Sequence, residues 1–267
     1  MTIDELLSHA TQHKSSPMRE FVVPKDWSQG RTVYGGISTA MLYVAAKSYV
    51  DDERKIRSLS TNFVGPLVFD APFNITVEEV RVGSNVSQLQ ARAVQNGKYC
   101  VVVQACFAKA RQSKTGKENT DVHDMPKPDK PKFIPQIPKV TPKFLKHFDL
   151  SIHSGALPFT GKKSSHYHGW MRFKKPPQSI TEAHIIAMID TWPPTLIQQL
   201  RWPAPASTIS WNLEFIYPHR SLSPGDWFAY KEETRQAADG YGHTEATVWD
   251  AYGEVIALSR QTIAVFD

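Results

Sequence analysis

The sequence predicts an α+β chain of two similar halves, each a run of antiparallel strands with one helix laid across it. Three observations predict this. A short apolar strand ending in aromatic-x-x-Pro occurs twice, at Phe63-Val64-Gly65-Pro66 and at Phe215-Ile216-Tyr217-Pro218. Each Pro is followed by two strand-like runs and a Gly-containing hairpin, Asn96-Gly97 in one copy and Tyr252-Gly253 in the other, and then by a last strand. Each copy also holds one stretch with helical spacing. A repeat this long implies two similar folding units, expected to pack as a pseudo-dimer with a functional site where they meet.

Composition bounds the class. Of the 267 residues 41% are hydrophobic, with seven Trp and thirteen Phe, enough for a sizeable core. No run approaches the roughly 18 apolar residues of a membrane helix. Met1-Thr2-Ile3-Asp4-Glu5-Leu6-Leu7 is acidic and reads as a short helix capped by Thr2 or Asp4, not as a secretory signal. Ala264-Val265-Phe266-Asp267 carries no peroxisomal or retention tripeptide. A soluble, cytoplasmic protein is the expectation. The two cysteines, Cys100 and Cys106, share one strand-like run. Even spacing puts them on one face about 20 Å apart, too far for a disulfide, so they read as buried structural thiols.

The net charge of +5 is local. Residues 109–146 hold nine Lys and Arg111 against Glu118, Asp121, Asp124 and Asp129, which leaves the rest of the chain near neutral. The excess sits in a Pro-rich connector. No basic helix or aromatic-interleaved basic strand accompanies it, so nucleic acid is not an expected partner. A solvated linker is the plain reading, and attraction of an anionic ligand the sharper one.

The first unit is assigned to residues 1–110. Phe21-Val22-Val23 opens it as a strand, and Gly30-Arg31-Thr32-Val33-Tyr34-Gly35-Gly36 leads into a helix from Ile37 to Val50. Ala40, Met41, Val44 and Ala45 give that helix a small-residue face suited to close packing on a sheet. Strands are expected at about 57–65, 73–82, 85–95 and 98–108. In the connector, 111–143, Pro126, Pro128, Pro131, Pro135, Pro138 and Pro142 exclude regular helix and favour extended chain. The second unit is assigned to 144–267. Phe148-Asp149-Leu150 opens it, Gly169-Trp170-Met171-Arg172-Phe173 reads as a strand, and Thr181 caps a helix through Ile189. Pro193-Pro194 stops that helix, which leaves Asp190 at its end. Strands recur at about 207–216, 227–235, 243–250 and 255–266. A curved antiparallel sheet wrapped round one long helix is the hotdog arrangement, so the expected fold is a double hotdog.

At this point the residues resemble a known family, the acyl-CoA thioesterase II type double-hotdog enzymes. Gly30 to Gly36 followed by the Ala-rich helix is similar to their Gly-x-x-Val-aromatic-Gly-Gly motif. Val80-Arg81-Val82-Gly83-Ser84-Asn85-Val86-Ser87 with Gln95-Asn96-Gly97 resembles their central hairpins, and Trp170-Met171-Arg172-Phe173 with Ile189-Asp190-Thr191-Trp192-Pro193-Pro194 the start of their second unit. The resemblance covers roughly 20–110 and 145–267. It implies a catalytic Asp, Ser/Thr and Gln in the second unit. The Asp follows the second helix, as Asp190 does. The hydroxyl lies seven residues before the aromatic of aromatic-x-x-Pro, as Thr208 does, and the Gln eight after the hairpin Gly, as Gln261 does. In the first unit Arg57-Ser58-Leu59-Ser60-Thr61 departs from the bacterial His-Ser-x-His-Ser pattern, which bears on acyl selectivity.

The implied chemistry is hydrolysis of an acyl-CoA or related acyl thioester, part of fatty acid metabolism, without metal or other cofactor. Asp190 would take a proton from the attacking water, strengthened as a base by the apolar Ile189, Trp192 and Pro193. Thr208 and Gln261 would hold the same water. Backbone N–H groups of Gly35 and Gly36 would bind the substrate carbonyl. Rival readings are a hotdog hydratase or dehydratase, which wants a His–acid pair, and a non-catalytic acyl-thioester-binding protein. Gly36-Ile37-Ser38-Thr39-Ala40 only imitates a serine-hydrolase elbow, because the surrounding βαβ pattern is missing. His166 and His168 read as a surface loop without further metal ligands. His184 is badly placed to pair with Asp190, and Asp239-Gly240 reads as a hairpin turn. Association into homo-oligomers through sheet edges is a further expectation.

Overall fold

The structure, a computed structural model, describes residues 1–16, 19–132, 137 and 141–266. Pro135 and Pro138 of the connector and Asp267 of the C-terminus lie outside the described residues. By packing, the chain divides into one unit of Met1–Asn119, Pro142–Phe144 and Ile180–Ala187, and a second of Thr120–Thr141, Leu145–Ser179 and Met188–Asp267.

The first unit opens on α1 (Ile3–Thr11). Thr2 and Glu5 form a reciprocal capping box at its start, which satisfies two otherwise unpaired N–H groups. Three short strands follow, β1 (Glu20–Phe21), β2 (Ser28–Gln29) and β3 (Thr32–Val33). Then comes α2 (Gly35–Lys47), which starts two residues and ends three residues earlier than its apolar spacing suggests. It is buried nearly all round, because its Gly, Ala and Ser residues let it approach its neighbours closely. It packs against α1 on one side and against the sheet on the other. That sheet contains β4 (Lys55–Phe63), β5 (Phe73–Val82), β6 (Val86–Gln95) and β7 (Lys98–Ala108), ordered β1-β5-β6-β7-β4 and antiparallel throughout. α2 lies across β5, β6 and β7. Cys100 and Cys106 are free thiols on β7, the first buried and the second half-buried.

The second unit contains β8 (Phe148–Ser154), β9 (His166–Phe173), the end of α3 (Glu182–Ile189), β10 (Ala206–Phe215), β11 (Phe228–Ala238), β12 (Tyr241–Trp249) and β13 (Val255–Val265). Its antiparallel sheet runs β10-β13-β12-β11-β9-β8. Asp239 and Gly240 turn the β11–β12 hairpin with positive φ, as their sequence suggests. His166 and His168 differ from the expected loop. Both lie in β9, where His166 bonds the Ser154 hydroxyl and His168 pairs with Glu233. The polar run misled because that stretch of strand has only one face in the core.

The connector is not wholly solvated either. Trp249 Nε1 donates to the Asp121 carbonyl at 2.9 Å, and Met125 is buried among Trp170, Trp227 and Trp249. The His123 ring meets Trp170 and Trp249 edge-on at 5.1 and 5.3 Å. Burial, then Lys231, holds His123 below the usual imidazole range. The charge of this segment obscured two residues that grip the sheet.

The duplication extends to irregularities. Leu59 faces Ala105 in β4–β7, and Trp211 faces Gln261 in β10–β13, at matching distances from the signature aromatics and hairpin glycines. A register shift falls between Ile56 and Ser58 in one pair and between Thr208 and Ser210 in the other. The shift at Glu79/Arg81 corresponds to that at Thr234/Gln236, and the shift at Ala93/Val94 to that at Val248/Trp249. A bulge is a specific backbone device, so three shared ones mark two copies of one design.

Candidate active site

Thr208 and Gln261 meet. The Thr208 hydroxyl donates to Gln261 Oε1 at 2.8 Å. Both side chains are half-buried. Their meeting depends on the β10 bulge. Trp211 is fully buried opposite Gln261, so strict alternation back along β10 would turn Ile209 inward and Thr208 outward. With one extra residue, Thr208 sits opposite Ile263, on the same face as Gln261, and Ile209 is 40% exposed. Trp211 pins the register through Nε1, which donates to the Ser259 hydroxyl at 2.9 Å.

Asp190 is the residue directly after α3 and is half-buried. The Thr191 hydroxyl and N–H both reach back to the Met188 carbonyl, at 2.7 and 3.0 Å, and close the helix end. Trp192 then turns in and stacks on Tyr230, ring centres 5.3 Å apart and planes 3° from parallel. Gly169 makes room for it, since a Cβ there would come within 2.6 Å of the indole. Burial, then Glu232, then the Asp190 charge push the Tyr230 phenol well above its ordinary range. The Asp190 carboxylate is therefore near enough to Tyr230 for its charge to be felt there.

Two further buried polar groups share this sheet face and escaped the sequence reading. Glu232 on β11 is 4% exposed, and the Tyr230 and Thr244 hydroxyls lie close enough to favour its ionised form. Burial pushes its carboxyl up to about 7 against the pull of those hydroxyls. Thr244 on β12 stands opposite Gln261 on one side and Thr234 on the other. In Lys231-Glu232-Glu233 the charges look like a solvated face. The only sequence signal was the parity of Glu232 with buried Tyr230.

Gly35 and Gly36 open α2. Tyr34 is its N-cap residue and provides no side-chain cap, so the first amides have no intrahelical carbonyl to bond. Gly36 also has a packing reason. A Cβ there would meet the Tyr34 ring at 2.7 Å. That ring is fully buried, stacks on Phe144 with centres 3.8 Å apart, and donates its hydroxyl to the Ala187 carbonyl at 2.7 Å. Ser38 Oγ donates to the Gly35 carbonyl within the first turn of the helix, a local backbone bond rather than the setting of a nucleophile.

One His–acid pair forms that the sequence did not reveal. His184 Nε2 lies 3.3 Å from Asp4 Oδ1, while Nδ1 accepts from the Thr181 N–H at 3.2 Å. Nε2 thus joins α3 to α1 and Nδ1 is held at the start of α3, and burial holds the imidazole below its usual range. Among the described residues no group of three or more His, Cys, Asp and Glu is placed to hold a metal, and no helix is long and apolar enough to cross a membrane.

Comparison with known proteins now adds to this geometry. The solved hotdog-fold protein from Alicyclobacillus acidocaldarius is similar to this chain with a TM-score of 0.80 and 22% identity, covering 97% of this chain and 98% of that one. An acyl-CoA thioesterase II from Mycobacterium marinum aligns with a TM-score of 0.72 and 20% identity over 92% of each chain. These likenesses establish the hotdog fold. Human acyl-coenzyme A thioesterase 8 is 32% identical over 87 residues, which cover 33% of this chain and only 27% of that protein's length. The family model of an acyl-CoA thioesterase N-terminal domain matches residues 23–108, and that of an acyl-CoA thioesterase C-terminal domain matches residues 119–265. The chain belongs to the acyl-CoA thioesterase family.

Proposed function

We propose that this protein hydrolyses an acyl-CoA, or a related acyl thioester, to free acid and thiol, using a water activated by Asp190, Thr208 and Gln261. The observation that carries the reading is the 2.8 Å bond from Thr208 to Gln261 Oε1 across a bulged strand pair. That bond fixes polarity. With Oε1 engaged, a Gln261 amide N–H can donate to a water oxygen, and a lone pair of Thr208 can accept a hydrogen bond from the water O–H that stays with the acid product. Asp190 takes the other proton as the water oxygen attacks the thioester carbon. The tetrahedral intermediate then expels the thiolate, which recovers that proton. Gly35 and Gly36 are read as substrate-binding positions, with uncapped amides suited to an oxygen gaining negative charge.

The fold belonging to this reading is a double hotdog, with residues 111–143 joining the two hotdog units. The repeated bulges support it, as does α2 lying across β5, β6 and β7. The committed nitrogens of His184 weigh against a hydratase. Fatty acid metabolism in the cytoplasm is the setting it implies.

The test is release of free thiol from a panel of acyl-CoAs. Wild type should release it, and Asp190→Asn should lose about 10²- to 10⁴-fold in kcat. Near-normal turnover in that variant would remove the proposed base.

A further inference from the structure

Glu232 is the largest unexplained commitment in the second unit. It is a carboxyl buried with no cation among the groups that shift it. The counterpart in the first unit, by strand register, is Val77. Nothing in the fold therefore demands an acid at this place. Its two partners lead in opposite directions. Thr244 is the β12 residue directly opposite Gln261. Tyr230 lies under Trp192 and within the field of Asp190. The titratable groups facing Glu232 are Tyr230 on its own strand, Tyr167 opposite it on β9, and Asp190 beyond Tyr230. From β12 it meets Thr244 and Ala246, which do not titrate.

We propose that Glu232 is a positioning residue for thioester hydrolysis, acting through Thr244 on Gln261, and that its ionised form is the one that supports turnover. The proposal rests on the hydrolytic reading above. An ionised carboxylate only accepts, so Thr244 must donate to it and turn its lone pairs toward one Gln261 amide N–H, which leaves the other for the water. A protonated carboxyl donates to one of its partners. The Thr244 hydroxyl is then released to donate to Gln261 Oε1, in competition with Thr208. The amide that orients the water is firmly held in the first state and contested in the second. Burial puts the carboxyl at about 7, so the change falls inside an ordinary kinetic profile.

The experiment is kcat and KM for thiol release from an acyl-CoA between about pH 5.5 and pH 8.5. Wild-type kcat should rise about tenfold through the Glu232 ionisation. Glu232→Gln should be flat, held near the low-pH wild-type level, with KM within about twofold. Thr244→Val keeps the acid but cuts its link to Gln261, and should be flat as well. It also carries the test if Glu232→Gln fails to fold. Variants that hydrolyse acyl-CoA with the wild-type inflection intact would overturn the role of Glu232 alone. Absence of thiol release from wild type with every acyl-CoA would overturn the hydrolytic reading, and this role with it.

Discussion

The strand pairs β4–β7 and β10–β13 share register and bulge but carry opposite chemistry. Where the second unit has Thr208 and Gln261, the first has Ile56 and Ala105, both fully buried. The contrast extends along the face. Leu89 stands in the place of Thr244, Ile75 in that of Tyr230 and Val77 in that of Glu232. Identical backbone devices therefore support an apolar packing surface in one copy and a connected polar surface in the other. The backbone determines which side chains can meet, and the residue types decide whether the meeting is chemistry or core.

This comparison can be tested by exchanging residues between copies. The largest effect is expected for Gln261→Ala, which gives β13 the residue found in β7. Turnover of acyl-CoA should fall at least about 100-fold, since the water loses its amide and Thr208 its acceptor. Circular dichroism and melting should change little, because the first unit already tolerates alanine at that register. An active Gln261→Ala enzyme would mean that the polarity of this face is incidental.

Next in size is the cost of keeping Glu232 in place of a neutral residue. The folded carboxyl holds its proton up to about 7, whereas an exposed one releases it near 4.5. Between those values the folded state binds more protons than the unfolded state, so stability falls as pH rises. The stabilisation is full below 4.5 and gone above 7, a loss of about 3 kcal/mol. Denaturant titration should find Glu232→Gln gaining on wild type across that interval and level beyond it. Parallel pH curves for the two proteins would refute a buried, titrating acid.

The smallest effect is expected from the reverse exchange. Ile56→Thr puts a hydroxyl where the first unit offers Ala105 instead of an amide. The unpaired group should cost about 1–3 kcal/mol by chemical denaturation and leave thiol release untouched. A gain in activity would show that the apolar copy retains latent chemistry.

Much of this was legible in the residues. Hairpin glycines and aromatic-x-x-Pro located the strands around them within about three residues, because turns need particular φ values and those need particular residues. The family resemblance pointed to Asp190, Thr208 and Gln261, and the structure joins the last two by a hydrogen bond. The orientation of Thr208 was not legible. A bulge breaks the period-two rule by which facing is inferred, and Ile209 rather than Thr208 has the inward parity. Glu232 was hidden by its charged neighbours, and the grip of His123 and Met125 by the lysines around them. In each case tertiary contacts override what local composition favours.

The bulge in β10 leaves a residue with no strand-pairing duty of its own. Ile209 faces away from Gln261, and its role is to occupy one step of chain so that its neighbour faces inward. Its length along the backbone matters and its chemistry does not. This makes position 209 a spacer, open to natural drift or to an attached label a single residue away from Thr208.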